Sequence, residues 1–464
     1  MPSNIIVIMT DELRRDCLGC YGAPMVRTPH IDALAARGMR FDAAYTPSPI
    51  CVPARASIAT GRYVHEIGYW SNAQPYHGEP RSWHHGLRDA GREMLSIGKL
   101  HFRGTEDDNG FTREINPLHV VGGEGWIHGL LRDEEDIYDA SGFAAHIGPG
   151  DDPYTQYDEA VCEATVEWIR SRTGDDPWCL YVSFLRPHYP LTCPPEFYEM
   201  YDPAEVPMPR APGPADDHPI LAGMRRACDY DTSFTDETRR VAIASYYGLC
   251  SFVDAKVGEI MGALEDVGAA GKTAVIFTSD HGECLGDRGF WTKMVMYEEA
   301  SAVPLIVAGP GIAPGVVDAP VSLIDLYPTV LQLSGVADKV PPHARSLLDA
   351  PDPDRAILSE YHDYGAKTGM LMLRKGRWKL VVYPGYAEQL FDLHADPRET
   401  RDLAGVPDHA RTLAEMRVAL REIADPEEIN TRAFADQAVR IEELGGRDAI
   451  RARENYDHTP VNGC

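Results

Sequence analysis

Short apolar runs rich in β-branched residues alternate along the chain with longer segments in which apolar positions recur every three or four residues. This is the pattern of a sheet with helices on both faces. Ile5 to Met9 predicts a buried first strand that ends in Thr10-Asp11-Glu12. Further strands are expected at Met39 to Tyr45, Met94 to Ile97, Trp178 to Leu185, Thr273 to Ser279 and Pro304 to Ala308. Helices are expected over His30 to Arg37, Pro53 to Thr60, Glu159 to Arg170 and Arg240 to Val267. The proline- and acid-rich stretch Asp202 to Asp217 reads as a surface excursion. After Ser359 the pattern changes to three short alternating runs, beginning at Met370, Trp378 and Gln389, which suggest a small antiparallel sheet followed by a helical tail. The turn-rich Pro351-Asp-Pro-Asp marks an expected boundary, giving a catalytic domain over 1–350 and a smaller C-terminal domain over 351–464.

The length of 464 residues suits two domains better than one core. With 44% hydrophobic and 25% charged residues the composition is that of a globular enzyme, not of a disordered or fibrous chain. No apolar run approaches a membrane span, and the start, Met1-Pro-Ser-Asn-Ile-Ile, lacks the features of a secretory signal, so a cytoplasmic protein without membrane partners is expected. Ten cysteines scattered over this length form no disulfide framework, and the Cys17/Cys20 pair has no second pair to complete a zinc ribbon, so a structural role is expected for it. A net charge of −27, from 44 basic and 71 acidic residues, repels nucleic acid, and no basic stripe or aromatic stacking tract offsets it. An anionic substrate would need a local basic pocket.

Asp280 and His281 follow one apolar strand as Asp11 follows another, and open α/β sheets place ligands at the carboxyl ends of their strands. Brought to one sheet edge, these groups would offer hard oxygen and nitrogen ligands to a divalent cation. Taken singly, a strand-terminal Asp is as readily a helix cap, a lone Lys a solvated surface group, and Asn72 beside Ser71 a turn residue.

Cys51-Val-Pro-Ala-Arg55, followed by Ala-Ser-Ile-Ala-Thr-Gly-Arg62, matches the C-x-P-x-R signature of the sulfatases. Leu13 to Gly22, Thr28 to Phe41, Lys99-Leu-His101, Arg186-Pro-His188, Ser279 to Glu283 with Lys293, and Leu390 to Glu399 resemble other segments of that family, in family order over most of the chain. Ile67 to Ala73 and Ile97 to Phe102 look most like the choline sulfatases and the related sulfatase and phosphonate monoesterase enzymes. Ala54 stands where many members have serine, and Glu12 where many have a second Asp or a Gln.

The resemblance implies an alkaline-phosphatase-like α/β sandwich, a large mostly parallel sheet flanked by helices, with the small antiparallel sheet in the C-terminal domain. It implies that Cys51 is oxidised to formylglycine by a maturation enzyme, and that Asp11, Glu12, Asp280, His281 and modified Cys51 hold a divalent cation, Ca²⁺ in a sulfatase and Mn²⁺ or Zn²⁺ in a phosphonate monoesterase. Asn72, Lys99, His188 and Lys293 would bind the sulfate, one of Lys293 and His188 would protonate the leaving alcohol, His101 would release sulfate from a covalent sulfo-enzyme, and Arg55 would position the nucleophile. The expected activity is hydrolysis of a small anionic sulfate ester by a homo-oligomer, dimer or tetramer, for which the segment from Glu427 to Cys464 could serve as an arm. The alternatives are a phosphonate monoester hydrolase or phosphodiesterase of the same superfamily and, if Cys51 stays unmodified, a non-catalytic anion-binding protein. Tyr69, Trp70, Trp83 and Trp126 could form an aromatic face for a cationic alcohol, or could be core aromatics.

Overall fold

The computed structural model describes residues 4–134, 140–456 and 458–461. Eight strands form its main sheet: β1 (Asn4–Asp11), β2 (Met39–Phe41), β3 (Glu93–Lys99), β4 (Arg113–Leu118), β5 (Trp178–Pro187), β6 (Thr273–Ser279), β7 (Leu305–Ala308) and β8 (Gly315–Val317). Their spatial order is β8-β2-β7-β6-β1-β5-β3-β4. β1 pairs in parallel with β5 and β6, and β3 in parallel with β5 and β4, while β7 runs antiparallel to both of its neighbours. Side chains alternate across a strand, so Ile6 and Ile8 enter one apolar core and Ile5, Val7 and Met9 the other. Burial on both faces is why β1 reads as an unbroken apolar run.

The first core is roofed by α1 (Pro29–Ala36), α3 (Pro153–Arg170) and the long α4 (Asp236–Asp266). The second is roofed by α2 (Cys51–Thr60) and α5 (Leu326–Ser334). α3 starts earlier than the apolar periodicity suggested, because Asp152 caps it through Tyr154 N and Pro153 takes its first turn. Met39 to Tyr45 is not one strand: the chain leaves the sheet at Asp42, and Ala44–Tyr45 pairs instead with Val321–Ser322. The edge strands β4 and β8 were not expected, since their partly exposed, Pro- and Gly-containing sequences give no apolar run. The excursion over 202–217 is mostly exposed, with Val206, Ala215 and Asp216 its buried contacts.

The C-terminal sheet has four antiparallel strands, β9 (Ala356–Tyr361), β10 (Met370–Lys375), β11 (Trp378–Val382) and β12 (Gln389–Asp392), one more than the alternating runs indicated. Leu358, Leu371, Leu373 and Leu380 pack with Leu413 and Met416 of α6 (Ala410–Arg421) and with Tyr63, Val64 and Trp70, so one apolar cluster ties the small sheet to the segment that follows α2. After α7 (Pro426–Glu443) the chain turns back towards the carboxyl edge of the main sheet. Among the described residues no helix is long and apolar enough to cross a membrane. The nine described cysteines, Cys17 and Cys20 included, are free, and Met1 to Ser3 and Cys464 lie outside the described residues.

Candidate active site

Four adjacent parallel strands, β6, β1, β5 and β3, end at one edge of the sheet and deliver the groups the motifs singled out. β1 ends at Asp11, next to Glu12 in the left-handed conformation (φ 66°). That turn is held by Glu12 N donating to Asp280 Oδ1 (3.3 Å), Leu13 N to Ser279 Oγ (2.9 Å) and the Tyr246 hydroxyl to Glu12 O (2.6 Å). β6 leads into Asp280 and His281, and β5 into His188. At the end of β3 the register shifts at Gly98 (φ 100°), whose missing Cβ lets Ser183 O approach closely and re-aims Lys99 into the site. His101 follows, also left-handed (φ 56°).

Cys51 opens α2 rather than preceding it, so the expected start at Pro53 is two residues late. Proline is tolerated in this first turn, where its missing N–H has no intrahelical partner. Every residue of α2 is buried, which the small side chains Ala54, Ala56, Ser57 and Ala59 permit. The C-x-P-x-R spacing has a direct meaning here: Cys51 and Arg55 are four apart and share one helix face. The Arg55 Nε donates to Asp280 Oδ2 (2.8 Å), its Nη1 to Lys99 O (3.0 Å) and Ser183 Oγ (2.9 Å), and its Nη2 to Asp11 Oδ2 (3.4 Å).

The expected site residues all meet in one place. Cys51 Sγ lies 3.1 Å from His281 Nε2 and 3.6 Å from Asp11 Oδ1. Lys99 Nζ is paired with Asp11, and Lys293 Nζ lies 3.0 Å from Glu12 Oε2 and 2.7 Å from His188 Nε2. Asn72 is turned so that its Oδ1 accepts from Val52 N (3.0 Å) in the first turn of α2, while its own backbone N–H donates to Asp363 Oδ2 (2.7 Å) from beyond β9. Cys51, Asn72, Lys99, His101, His188 and Lys293 border a pocket walled by Ile50, Val120, Trp126, Phe143, Tyr154 and Tyr189. Of the aromatic face expected from Tyr69, Trp70, Trp83 and Trp126, only Trp126 lines this pocket. Tyr69 and Trp83 fill the second core and Trp70 the cluster under the small sheet.

Several participants were not anticipated. The C-terminal tail packs on its own chain's pocket: Thr459 Oγ1 lies 2.8 Å from His101 Nε2, the Tyr154 hydroxyl donates to Thr459 O (2.8 Å), and Trp126 Nε1 donates to Asn455 Oδ1 (2.8 Å). Glu283, Ser183 and Tyr246 hold the loops behind the site. Only Glu283, inside the Ser279 to Glu283 motif, carried any sequence signal.

Burial and the neighbouring Asp11 carboxylate push the Cys51 thiol up to about 12, so the unmodified side chain is a neutral thiol and a weak nucleophile. Burial alone would raise Asp11, but Lys99, His188 and Arg55 hold it well below the usual carboxylate range. Burial pushes Glu12 up to about 8 against the pull of Lys293. His101 and His188 are held well below their ordinary value, first by burial and then by the nearby lysines.

Asp11, Cys51, Asp280 and His281 each place a donor atom within 4.8 Å of the others, and Asp11, Glu12 and His188 form a second such group. The residues fit a hard divalent cation. Glu12 Oε1 is buried with no hydrogen-bond partner among the described residues, and His281 Nδ1 donates to Gly282 O (3.1 Å), which leaves Nε2 as the free lone pair. The misfit is the soft Cys51 sulfur, which stands where an oxygen of a modified residue would serve better.

A family model described as Sulfatase matches residues 3–336, and one described as N-sulphoglucosamine sulphohydrolase, C-terminal, matches residues 286–426. The chain is 33% identical to the choline-sulfatase of Rhizobium meliloti (strain 1021) over 423 residues, covering 87% of this chain and 83% of that protein. It is 32% identical to arylsulfatase K of Danio rerio over 459 residues, covering 91% and 84%. Among solved structures the phosphonate monoester hydrolase SpPMH from Silicibacter pomeroyi superposes with a TM-score of 0.75 at 28% identity, covering 91% of this chain and 96% of the other. Strand-end donors around a cysteine on a buried helix, and two independent kinds of match over most of the length, lead to one statement: the chain belongs to the sulfatase family of sulfuric ester hydrolases.

Proposed function

We propose that the protein hydrolyses a sulfate monoester to an alcohol and inorganic sulfate, using a nucleophile made by conversion of Cys51 to formylglycine. The observation that carries this reading is the meeting of Cys51 with Asp11, Asp280 and His281 on one side and with Lys99 and Lys293 on the other. A neutral buried thiol suits neither attack nor a hard cation, and a maturation enzyme that replaces it with an oxygen nucleophile removes both difficulties.

Asp11, Glu12, Asp280 and His281 would hold the cation, Ca²⁺ by preference for this oxygen-rich set. When bound it supplies Lewis-acid polarisation of the sulfate and favours the ionised nucleophile. The rest falls to the chain. Arg55 locks Asp280 and Asp11 in place from the helix that carries residue 51. Lys99, Lys293 and the Asn72 amide N–H₂, freed because Oδ1 is occupied, clamp the sulfuryl oxygens. His188 Nδ1 donates to Tyr189 O (2.5 Å), so its Nε2 accepts from Lys293 Nζ. Lys293 is thus the member of the pair that carries a proton for the leaving oxygen. With Nε2 donating to Thr459 Oγ1, the buried Nδ1 of His101 is left as the base that assists release of sulfate.

The pocket walls bear on the alcohol. Apart from the catalytic groups they are largely apolar and aromatic, and no Lys or Arg other than Lys99 and Lys293 lines them among the described residues, which suits a compact aryl or alkyl alcohol better than a polyanionic sugar. A phosphonate monoester hydrolase is the second reading, favoured by the similarity to SpPMH. Matched kcat/KM values for 4-nitrophenyl sulfate, choline sulfate, glucosamine 6-sulfate and phenyl phosphonate monoester decide the matter. The proposal expects a compact sulfate ester to lead, and a leading phosphonate ester would install the alternative.

A further inference from the structure

Lys293 sits in a loop whose backbone is strained on both sides of it. Thr292 (φ 62°) and Met294 (φ 77°) are left-handed, a conformation costly for any residue with a Cβ and most of all for a β-branched one. Such backbone persists where its surroundings over-determine it. Here Glu283 Oε1 accepts from both Thr292 N (2.6 Å) and Leu285 N (2.7 Å), Cys284 N donates to Thr292 O (2.6 Å), and Met294 N donates to Pro49 O (3.1 Å). Glu283 is buried, two residues beyond His281.

We propose that Glu283 is the positioning residue for Lys293: its carboxyl oxygen clasps the strained loop and so holds Lys293 Nζ within reach of both Glu12 and His188. The inference rests on the reading above, in which Lys293 gives a proton to the departing alcohol oxygen as the S–O bond breaks. Two backbone N–H groups need an acceptor oxygen and not a negative charge, so glutamine in the same place retains the clasp while alanine removes it. A group that protonates the leaving oxygen matters most when that oxygen leaves poorly, which separates a displaced Lys293 from general damage to the site.

The test compares wild type, E283Q, E283A and K293A on 4-nitrophenyl sulfate and on an alkyl sulfate, with bound metal per chain measured in parallel. Expected for E283A is a kcat loss of about 100-fold on the alkyl ester and under about 10-fold on the nitrophenyl ester, with metal content unchanged. E283Q stays within about 3-fold of wild type on both esters, and K293A shows the same asymmetry as E283A. Equal losses on both esters in E283A, or loss of metal, overturn the positioning role. If K293A shows the asymmetry and E283A does not, only this inference fails, and if K293A lacks it, the assignment of Lys293 as proton donor fails with it. Should E283A not fold, E283Q decides, since retained activity supports the clasp and a loss above about 10-fold overturns it.

Discussion

Replacing Arg55 with methionine keeps the volume of the side chain and removes its charge. The guanidinium is almost wholly buried and faces Asp280 Oδ2, Asp11 Oδ2, Lys99 O and Ser183 Oγ, so the substitution leaves two buried carboxylates with less countercharge and two acceptors without a donor. Removing one partner of a buried ion pair costs about 3–5 kcal/mol. An unfolding entropy of about 2.1 cal/mol/K per residue scales to about 1 kcal/mol/K for a 464-residue chain, so metal-free R55M should melt about 3–5 °C below wild type if the chain unfolds as a unit. A bound cation replaces part of the missing countercharge, and the upward shift on adding Ca²⁺ should therefore be larger in R55M than in wild type. Thermal melts in chelator and in excess Ca²⁺ read both quantities, and kcat/KM should fall by about 10²–10³-fold because Asp280 is no longer held. Coincident melting of R55M and wild type in chelator would mean that Arg55 compensates neither carboxylate.

Thr459→Val removes the oxygen that faces His101 Nε2, so sulfate release should slow with KM little changed, sulfate mass should accumulate on the residue-51 peptide during turnover, and Thr459→Ser should restore the wild-type behaviour. His65 Nδ1 lies 2.7 Å from Glu360 Oε1. This pair raises His65 from 6.5 despite burial, while His65 and His362 bring Glu360 down to about 2 against its burial. The Glu360 contribution is present above about pH 4.5 and lost as pH falls towards about 2, and the His65 contribution is present below about pH 6.5 and lost as pH rises through its raised value. The stability difference between wild type and H65A should therefore be greatest between about pH 4.5 and 6.5 and shrink on either side, as thermal melts across pH will show. Dialysis against a chelator should abolish turnover, and Ca²⁺ should restore it, with weaker recovery in Glu12→Ala, which removes the unpartnered Oε1.

The parts of this site that could be read from sequence are those in which local pattern and chemistry coincide. Asp11 and Asp280 each end an apolar run, so the sheet edge and its carboxylates were legible together. Cys51 and Arg55 belong to a helical i,i+4 spacing, whereas Lys99, His101, His188 and Lys293 are single polar residues that only the order of family motifs distinguished from surface groups. Nothing local marks Thr459 as a partner of His101, because that contact closes a separation of 358 residues. Trp70 and Trp83 were ambiguous for a related reason: burial in a core and exposure to a pocket call for the same residue type, and the choice is made by the packing of distant segments. Strands β4 and β8 escaped notice because edge strands carry polar and exposed positions in place of an apolar run.

Under the proposed mechanism residue 51 acts as an aldehyde-derived oxygen nucleophile and not as a thiol. Peptide mass analysis of position 51, in protein made with and without a formylglycine-generating enzyme, should be paired with turnover of 4-nitrophenyl sulfate in the same samples. Turnover should rise in proportion to the fraction carrying the aldehyde mass and be absent from Cys51→Ala. Full turnover by protein whose residue 51 remains cysteine, or none by protein that is fully converted and metal-loaded, would contradict this mechanism.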